Sequence, residues 1–223
     1  LAATGLADIA IYEGRLGDAA EILEAATVTD LEVDNQAAAA NKLFTLARVH
    51  ATRGRSEAAA EAARRAVELS QQEQVLFEAA RVLLATGNES EALELAAQLA
   101  GRLAPEPRAY ARIIEGEAAL ASDEAARAVA AFQQSQDILD TWLGRVALGR
   151  ALVATEAFPE AHAELDTALS RRGEACSVFL DDVPSYHSFP PGHYWLGRAL
   201  EGLGSPGAAD QYREYLDVKA DAD

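Results

Sequence analysis

The chain has one cysteine, no methionine, two lysines against seventeen arginines, and only 6% aromatic residues in 223 positions. Each shortage excludes something. Cys176 alone cannot form an internal disulfide, which fits a reducing, cytoplasmic compartment. No apolar run reaches the roughly 18 residues that a membrane-spanning helix needs. No signal-peptide pattern is visible, and its absence carries little weight in a chain that starts mid-helix. Leu1 already lies inside the first helical pattern, so the chain reads as a fragment of a longer protein. Basic residues number 19 against 36 acidic ones, a net charge of −17. Such a surface repels phosphate backbones and anionic lipid, so neither nucleic acid nor a membrane is expected as a partner.

Chemistry-bearing motifs are missing too. The sequence holds no G-x-x-x-x-G-K-[ST], no G-x-G-x-x-G after a strand, no H-E-x-x-H and no G-x-S-x-G. No strand-like alternation supplies an α/β edge. The reading is therefore not an enzyme, with no catalytic residue, no cofactor and no metal ligand assigned. The richest collection of reactive side chains is Cys176, Asp181, Asp182, His187 and His193. Their spacing matches no zinc template, and Phe179, Leu180 and Tyr186 around them read as packing residues. His50 and His162 fall on helices, as packed or exposed side chains.

Alanine-rich helical runs are what the sequence does contain. GRLGDAAEILEAA, GRSEAAAEAARRA, GNESEALELAAQL, DEAARAVAAFQQS, FPEAHAELDTA and GSPGAADQYREYL each begin at a turn. Each carries a triplet spaced four and then three: Ala19/Leu23/Ala26, Ala59/Ala63/Ala66, Ala92/Ala96/Leu99, Ala128/Phe132/Ser135, Ala161/Leu165/Ala168 and Ala208/Tyr212/Tyr215. Those steps keep side chains on one helix face. A second helical stretch precedes every turn. It holds a pair with a small residue: Leu6-Ala7, Leu46-Ala47, Ala79-Ala80, Glu115-Gly116, Leu148-Gly149 and Leu196-Gly197. The turn positions Gly14, Gly54, Gly87, Asp123, Glu156 and Gly204 are 40, 33, 36, 33 and 48 residues apart. The unit is a helical hairpin used six times.

This pattern resembles the tetratricopeptide repeat, with its L-G…Y…A-x3-F…P signature and period of about 34 residues. The repeats are degenerate, since most signature prolines and the leading tryptophan are missing. The resemblance implies an all-α, right-handed superhelical solenoid of about six hairpins over 1–223. Its repeats run about 1–30, 35–70, 71–104, 105–140, 141–172 and 190–218, with an irregular insert at 173–191. A long linker is expected at 27–34, followed by an Asp34 cap. Capping boxes are expected at Ser70/Glu73 and Asn88/Glu91, a helix start at Pro105, and a frayed acidic tail at 219–223. The wording of 171–216 is also similar to repeat regions of large bacterial signalling proteins, some of which carry Ser/Thr kinase domains.

One ladder of residues points to function. The positions after each small-residue pair are Asp8, Arg48, Arg81, Glu117, Arg150 and Arg198. Four residues earlier stand Thr4, Phe44, Phe77, Ile113, Val146 and Tyr194. The resemblance implies that these first-helix positions face a concave groove that binds protein or peptide. Phe44, Arg48, Phe77, Arg81, Ile113, Glu117, Val146, Arg150, Tyr194 and Arg198 would form its apolar and charged stripes. Arginine grips carboxylates bidentately, so an acidic peptide suits it. The same arginines could instead pair with acids of neighbouring repeats and hold the stack; the two roles are compatible. Trp142 and Trp195 read as packing residues. A non-catalytic scaffold in a bacterial regulatory protein is the leading reading, and self-association as a homodimer is the alternative.

Overall fold

The computed structural model describes residues 2–171 and 189–223. Among them are twelve helices and no strand. They pair in chain order: α1 (Ala2–Glu13) with α2 (Leu16–Glu32), α3 (Gln36–Thr52) with α4 (Ser56–Leu69), α5 (Glu73–Ala85) with α6 (Glu89–Ala100). The series continues with α7 (Pro105–Ala121) and α8 (Ala125–Ile138), α9 (Trp142–Ala154) and α10 (Phe158–Ser170), α11 (Phe189–Gly202) and α12 (Ala208–Val218). Each second helix packs on the first helix of the next hairpin. Successive first helices from α3 onward also touch. The chain is an all-α solenoid of helical hairpins.

All six turns inside the hairpins use one device. Gly14, Gly54, Gly87, Asp123, Glu156 and Gly204 have positive φ, from 59° to 88°. The N–H of the next residue then donates to a carbonyl five residues back. These bonds are Arg15 to Ala10, Arg55 to His50, Asn88 to Leu83, Glu124 to Ala119, Ala157 to Leu152 and Ser205 to Leu200, all 2.8–2.9 Å. This left-handed closure satisfies the last carbonyls of a helix and reverses the chain. Asp123 and Glu156 adopt a conformation that glycine takes at lower cost.

Packing follows size matching between paired helices. The triplets at Ala59, Ala92, Ala128 and Ala161 are buried throughout. A Cβ added to Gly116 would stand 2.5 Å from the Phe132 ring, one on Gly149 2.5 Å from Leu165, and one on Gly197 2.6 Å from Tyr212. Where the second helix offers only Ala63 or Ala96, the first helix carries Ala47 or Ala80, each fully buried. Small faces large, or alanine faces alanine, so the two helices keep close contact at the crossing. The first hairpin differs, with Leu23 opposite Ala7 in one cluster. Ala26 is only half-buried there, and Thr27 is buried instead.

Several expected boundaries move. The linker placed at 27–34 is mostly helix, because α2 runs on to Glu32. Thr27, Val28, Thr29 and Val33 lower helix propensity, but tertiary contacts override it. Lys42 of α3 pairs with Asp30, both side chains largely buried. Asp34 does not cap α3. It takes φ 55° as another left-handed stop, and Asn35 is the cap, accepting from the Ala38 amide at 3.3 Å. Ser70 accepts from the Gln72 amide at 3.3 Å without capping α5. Asn88 sits at the start of α6 but donates to Thr86 at 2.9 Å, while Glu91 reaches Arg64 of the preceding hairpin at 2.7 Å. Pro105 opens α7 as expected.

The insert expected at 173–191 ends earlier than its sequence suggests. Phe189, Pro190 and Pro191 form the first turn of α11, where proline's missing donor costs nothing. Cys176, Phe179, Leu180, Asp181, Asp182, Tyr186 and His187 lie outside the described residues. The tail at 219–223, expected to fray, is docked. It lies on the turn between α1 and α2, at the opposite end of the sequence.

Candidate ligand-binding groove

The odd-numbered helices line the inner surface of the array. A cavity of about 480 Å³ opens there, with Ile11 of α1, Arg48 of α3, Arg81 of α5, Ile113 and Glu117 of α7, Val146 and Arg150 of α9 and Trp195 of α11 around it. Of the ten sequence-derived groove residues, Arg48, Arg81, Ile113, Glu117, Val146 and Arg150 converge on this space. The other four do not.

Phe44 is 2% exposed and packs with Ala40, Ala66 and Val75 at the join of the second and third hairpins. Phe77 lies beneath Arg81, 5.3 Å from its guanidinium carbon, and stacks on Tyr110 at 4.3 Å. Tyr194 turns toward Trp195, Tyr212 and Tyr215. Arg198 is 45% exposed and engages its own helix, through Tyr194 at 3.2 Å and Glu201 at 3.7 Å. It borders the adjoining cavity that Arg150 and Trp195 also line. Of the apolar stripe, Ile113 and Val146 reach the cavity, and Phe44 and Phe77 miss it for a geometric reason. Four residues turn a helix through about 400°, so a side chain four back stands about 40° round from the arginine. At Phe44 and Phe77 that rotation is enough to bury the ring between helices.

The charged residues form an alternating chain across three hairpins. Arg48 meets Glu78 of α5, Glu78 also faces Arg81 at 3.4 Å, and Arg81 holds Glu117 of α7 at 3.1 Å. The four side chains are 11–20% exposed. Glu78 is the member that the sequence ladder missed. It lies three residues before Arg81, and that helical spacing was its one available signal. Burial, and then the Arg81 charge, bring the pKa of the Arg48 guanidinium down to about 9, against the opposing pull of Glu117 and Asp8. Arg48 therefore stays charged at neutral pH. Arg48 and Arg81 both join successive hairpins and line the cavity.

Arg150 is different. It has no ion-pair partner among the described residues, and its guanidinium lies 5.9 Å from the Trp195 ring, within cation–π range. Burial lowers its pKa most, Glu117 raises it and Arg81 lowers it again. Trp195 is thus half-buried beside the cavity rather than a packing residue alone, whereas Trp142 is 6% exposed and packs against Phe189. Ile113, Leu143 and Val146 supply the apolar part of the wall. The arrangement offers one unneutralised planar cation, a flat aromatic surface and an apolar strip.

The remaining candidates have ordinary roles. His193 shares a hydrogen bond with Gln211 at 2.9 Å. His50 is 8% exposed, and burial lowers its pKa. His162 is half-buried on α10. No helix among the described residues is long and apolar enough to cross a membrane.

No family model matches the sequence, and no curated protein matches it. Solved structures that it resembles include the MamA protein, at a TM-score of 0.46 and 16% identity over 81% of this chain and 92% of that one. The TPR-like repeats of a putative kinesin light chain from Podosopora anserina give 0.48 and 21% over 80% and 93%. A singly substituted variant of those repeats gives 0.49 and 21% over the same shares.

Proposed function

We propose that the chain is a non-catalytic scaffold that holds a protein segment against its inner surface, with a carboxylate of that segment on Arg150. The observation that supports this reading is the unneutralised Arg150 in a wall where Arg48 and Arg81 are already matched by Glu78 and Glu117. A buried cation without a counter-charge costs free energy, and an incoming carboxylate relieves that cost. The acidic exterior repels such a segment elsewhere, which favours one site over general adhesion. The groups that converge on the cavity hold fixed charge; none forms a nucleophile–base pair there.

The test uses a blocked hexapeptide of alternating glutamate and leucine. It should bind at low salt and weaken as salt rises, since exposed charges are screened beyond about 8 Å at physiological ionic strength. Arg150→Glu should abolish binding while leaving the helical circular dichroism and melting unchanged. Binding that survives Arg150→Glu overturns the reading.

A second reading, self-association, is favoured by α1. Leu6 and Ile9 are 58% and 50% exposed, whereas their counterparts one hairpin on, Leu46 and Val49, are buried in the join with the first hairpin. Light scattering on the chain, with Leu6→Glu and Ile9→Glu as the control, separates the two readings.

A further inference from the structure

The first turn of the array is unlike the others. A Cβ at Gly54, Gly87 or Gly204 would meet nothing within 4 Å, whereas one at Gly14 would stand 2.7 Å from the Cβ of Ala222. The tail covers this turn alone among the four glycine turns. Asp223 accepts from the Leu16 amide, and from the Gly17 amide at 2.8 Å, while its own N–H donates to the Gly14 carbonyl at 3.1 Å. Lys219 donates to the carbonyls of Ile11 and Tyr12 at 2.9 and 2.6 Å.

These contacts add to two helix ends, α1, which closes through the left-handed Gly14 turn, and α2, which has no side-chain cap. The α1 helix has no basic residue in its last turn, and Arg15 before α2 makes no side-chain cap bond. Lys219 places a cation at the negative end of α1, and Asp223 places an anion at the positive end of α2. Only a segment with a cation and a carboxylate at this separation satisfies both ends together. Nearby, Tyr12 of α1 packs against the cluster of Trp142, Ala168 and Phe189, which spans the join of the fifth and last hairpins.

We infer that the turn joining α1 and α2 is a docking surface whose partner is the chain's own segment at 219–223, and that docking closes the array and walls in the inner cavity. Lys219, Ala222 and Asp223 themselves border that cavity, together with Arg48, Arg81 and Arg150. Closure leaves the cavity open to small ions and narrow for a polypeptide. On the scaffold reading above, the tail is therefore a competitor in cis, and a protein segment enters when it lifts. A tail from a second copy offers the same groups and is the alternative occupant.

The experiment labels Glu24→Cys on α2 and Glu214→Cys on α12 in a Cys176→Ser background and measures the spin–spin distance. The otherwise unaltered chain should give one short, narrow distance at every concentration. Deleting 219–223, or combining Lys219→Ala with Asp223→Asn, should lengthen and broaden it while helical circular dichroism stays the same. The substituted variant keeps the full chain length, so it reports closure even if the deletion misfolds. An unchanged distance in both variants overturns the inference. So does a short distance that disappears on dilution, because the tail would then be docking between chains. The hexapeptide probe should bind the opened variants more tightly, on the order of tenfold if about a tenth of the unaltered molecules are open at any time. Opening without tighter peptide binding would leave the latch standing and count against the scaffold reading.

Discussion

Ala59, Ala63 and Ala66 of α4 are fully buried, whereas no residue of α12 is. The same hairpin therefore has different internal support in the middle of the array and at its end. A middle hairpin is sandwiched, and its crossing residues lose all contact with water. The last hairpin has one neighbour along the stack, and Tyr212 and Tyr215, at the equivalent places, are half-buried. Tyr212 fills the space over Gly197 but sends its hydroxyl to Glu201 at 2.8 Å. The first hairpin has the same shortage, seen in exposed Leu6 and Ile9. The middle is held by apolar packing together with the largely buried Arg48–Glu78–Arg81–Glu117 chain. The ends keep apolar packing on their inner side only, at Ala7, Ala10 and Leu23 and at Leu196 and Ala199, and add exposed hydrogen bonds and charges, which are individually weak.

The largest expected effect tests that contrast directly. Phe132→Ala in the middle should cost about 3–5 kcal/mol, the usual range for emptying a buried aromatic site. Tyr212→Ala, at the matching position of the last hairpin, should cost clearly less, because its side chain is already partly exposed. Urea unfolding of both variants measures the difference. Equal losses would mean that the last hairpin is as firmly supported as the fourth.

A smaller effect separates the arginines. Glu117→Gln leaves Arg81 without its inter-hairpin partner in a site with little solvent and should cost about 1–3 kcal/mol. Arg150→Gln removes no ion pair and should leave stability nearly unchanged, while weakening the acidic probe. Comparable to the first of these, Ala161→Leu at a fully buried crossing should cost about 1–3 kcal/mol through overpacking. If Arg150→Gln proved as damaging as Glu117→Gln, Arg150 would be part of the stacking network and not a reserved cation.

The hairpins, their turns and their crossing faces were legible because each repeats. Six instances of one spacing leave little freedom, and the six left-handed turns fall at Gly14, Gly54, Gly87, Asp123, Glu156 and Gly204. Of the charged ladder, Arg48, Arg81, Glu117 and Arg150 border the cavity, while Arg198 stands outside it and Glu78 was not in the ladder. Of its apolar part, Ile113 and Val146 were in the ladder and line the cavity, whereas Phe44 and Phe77 do not, because a four-residue step shares a face only to within about 40°. Local cap signals misled at Asp34 and Asn88, where tertiary partners claimed the backbone or the side chain. The tail contact had no sequence signal. It joins residues 207 positions apart, and nothing in a lysine and an aspartate four apart says which helix ends they will reach.

The smallest effect concerns that contact and depends on pH. The Asp223 carboxylate is held below its ordinary 3.8, chiefly by the Gly17 amide and further by the Leu16 amide and the Arg53 charge. Its contribution to closure is therefore complete above the ordinary value and disappears as pH falls through the depressed one. Lys219 faces carbonyl oxygens and stays protonated throughout that range, so it adds no slope there. Other carboxylates titrate in the same window, which makes a thermal melt ambiguous. The label distance between α2 and α12 is not ambiguous in this way, because Asp223→Asn supplies the reference. The chain with Asp223 intact should open progressively as pH falls below the ordinary 3.8. The Asp223→Asn chain should begin longer and change less over the same range. Parallel curves for the two would show that acid opens the array through some other carboxylate, and that Asp223 merely rests on the first turn.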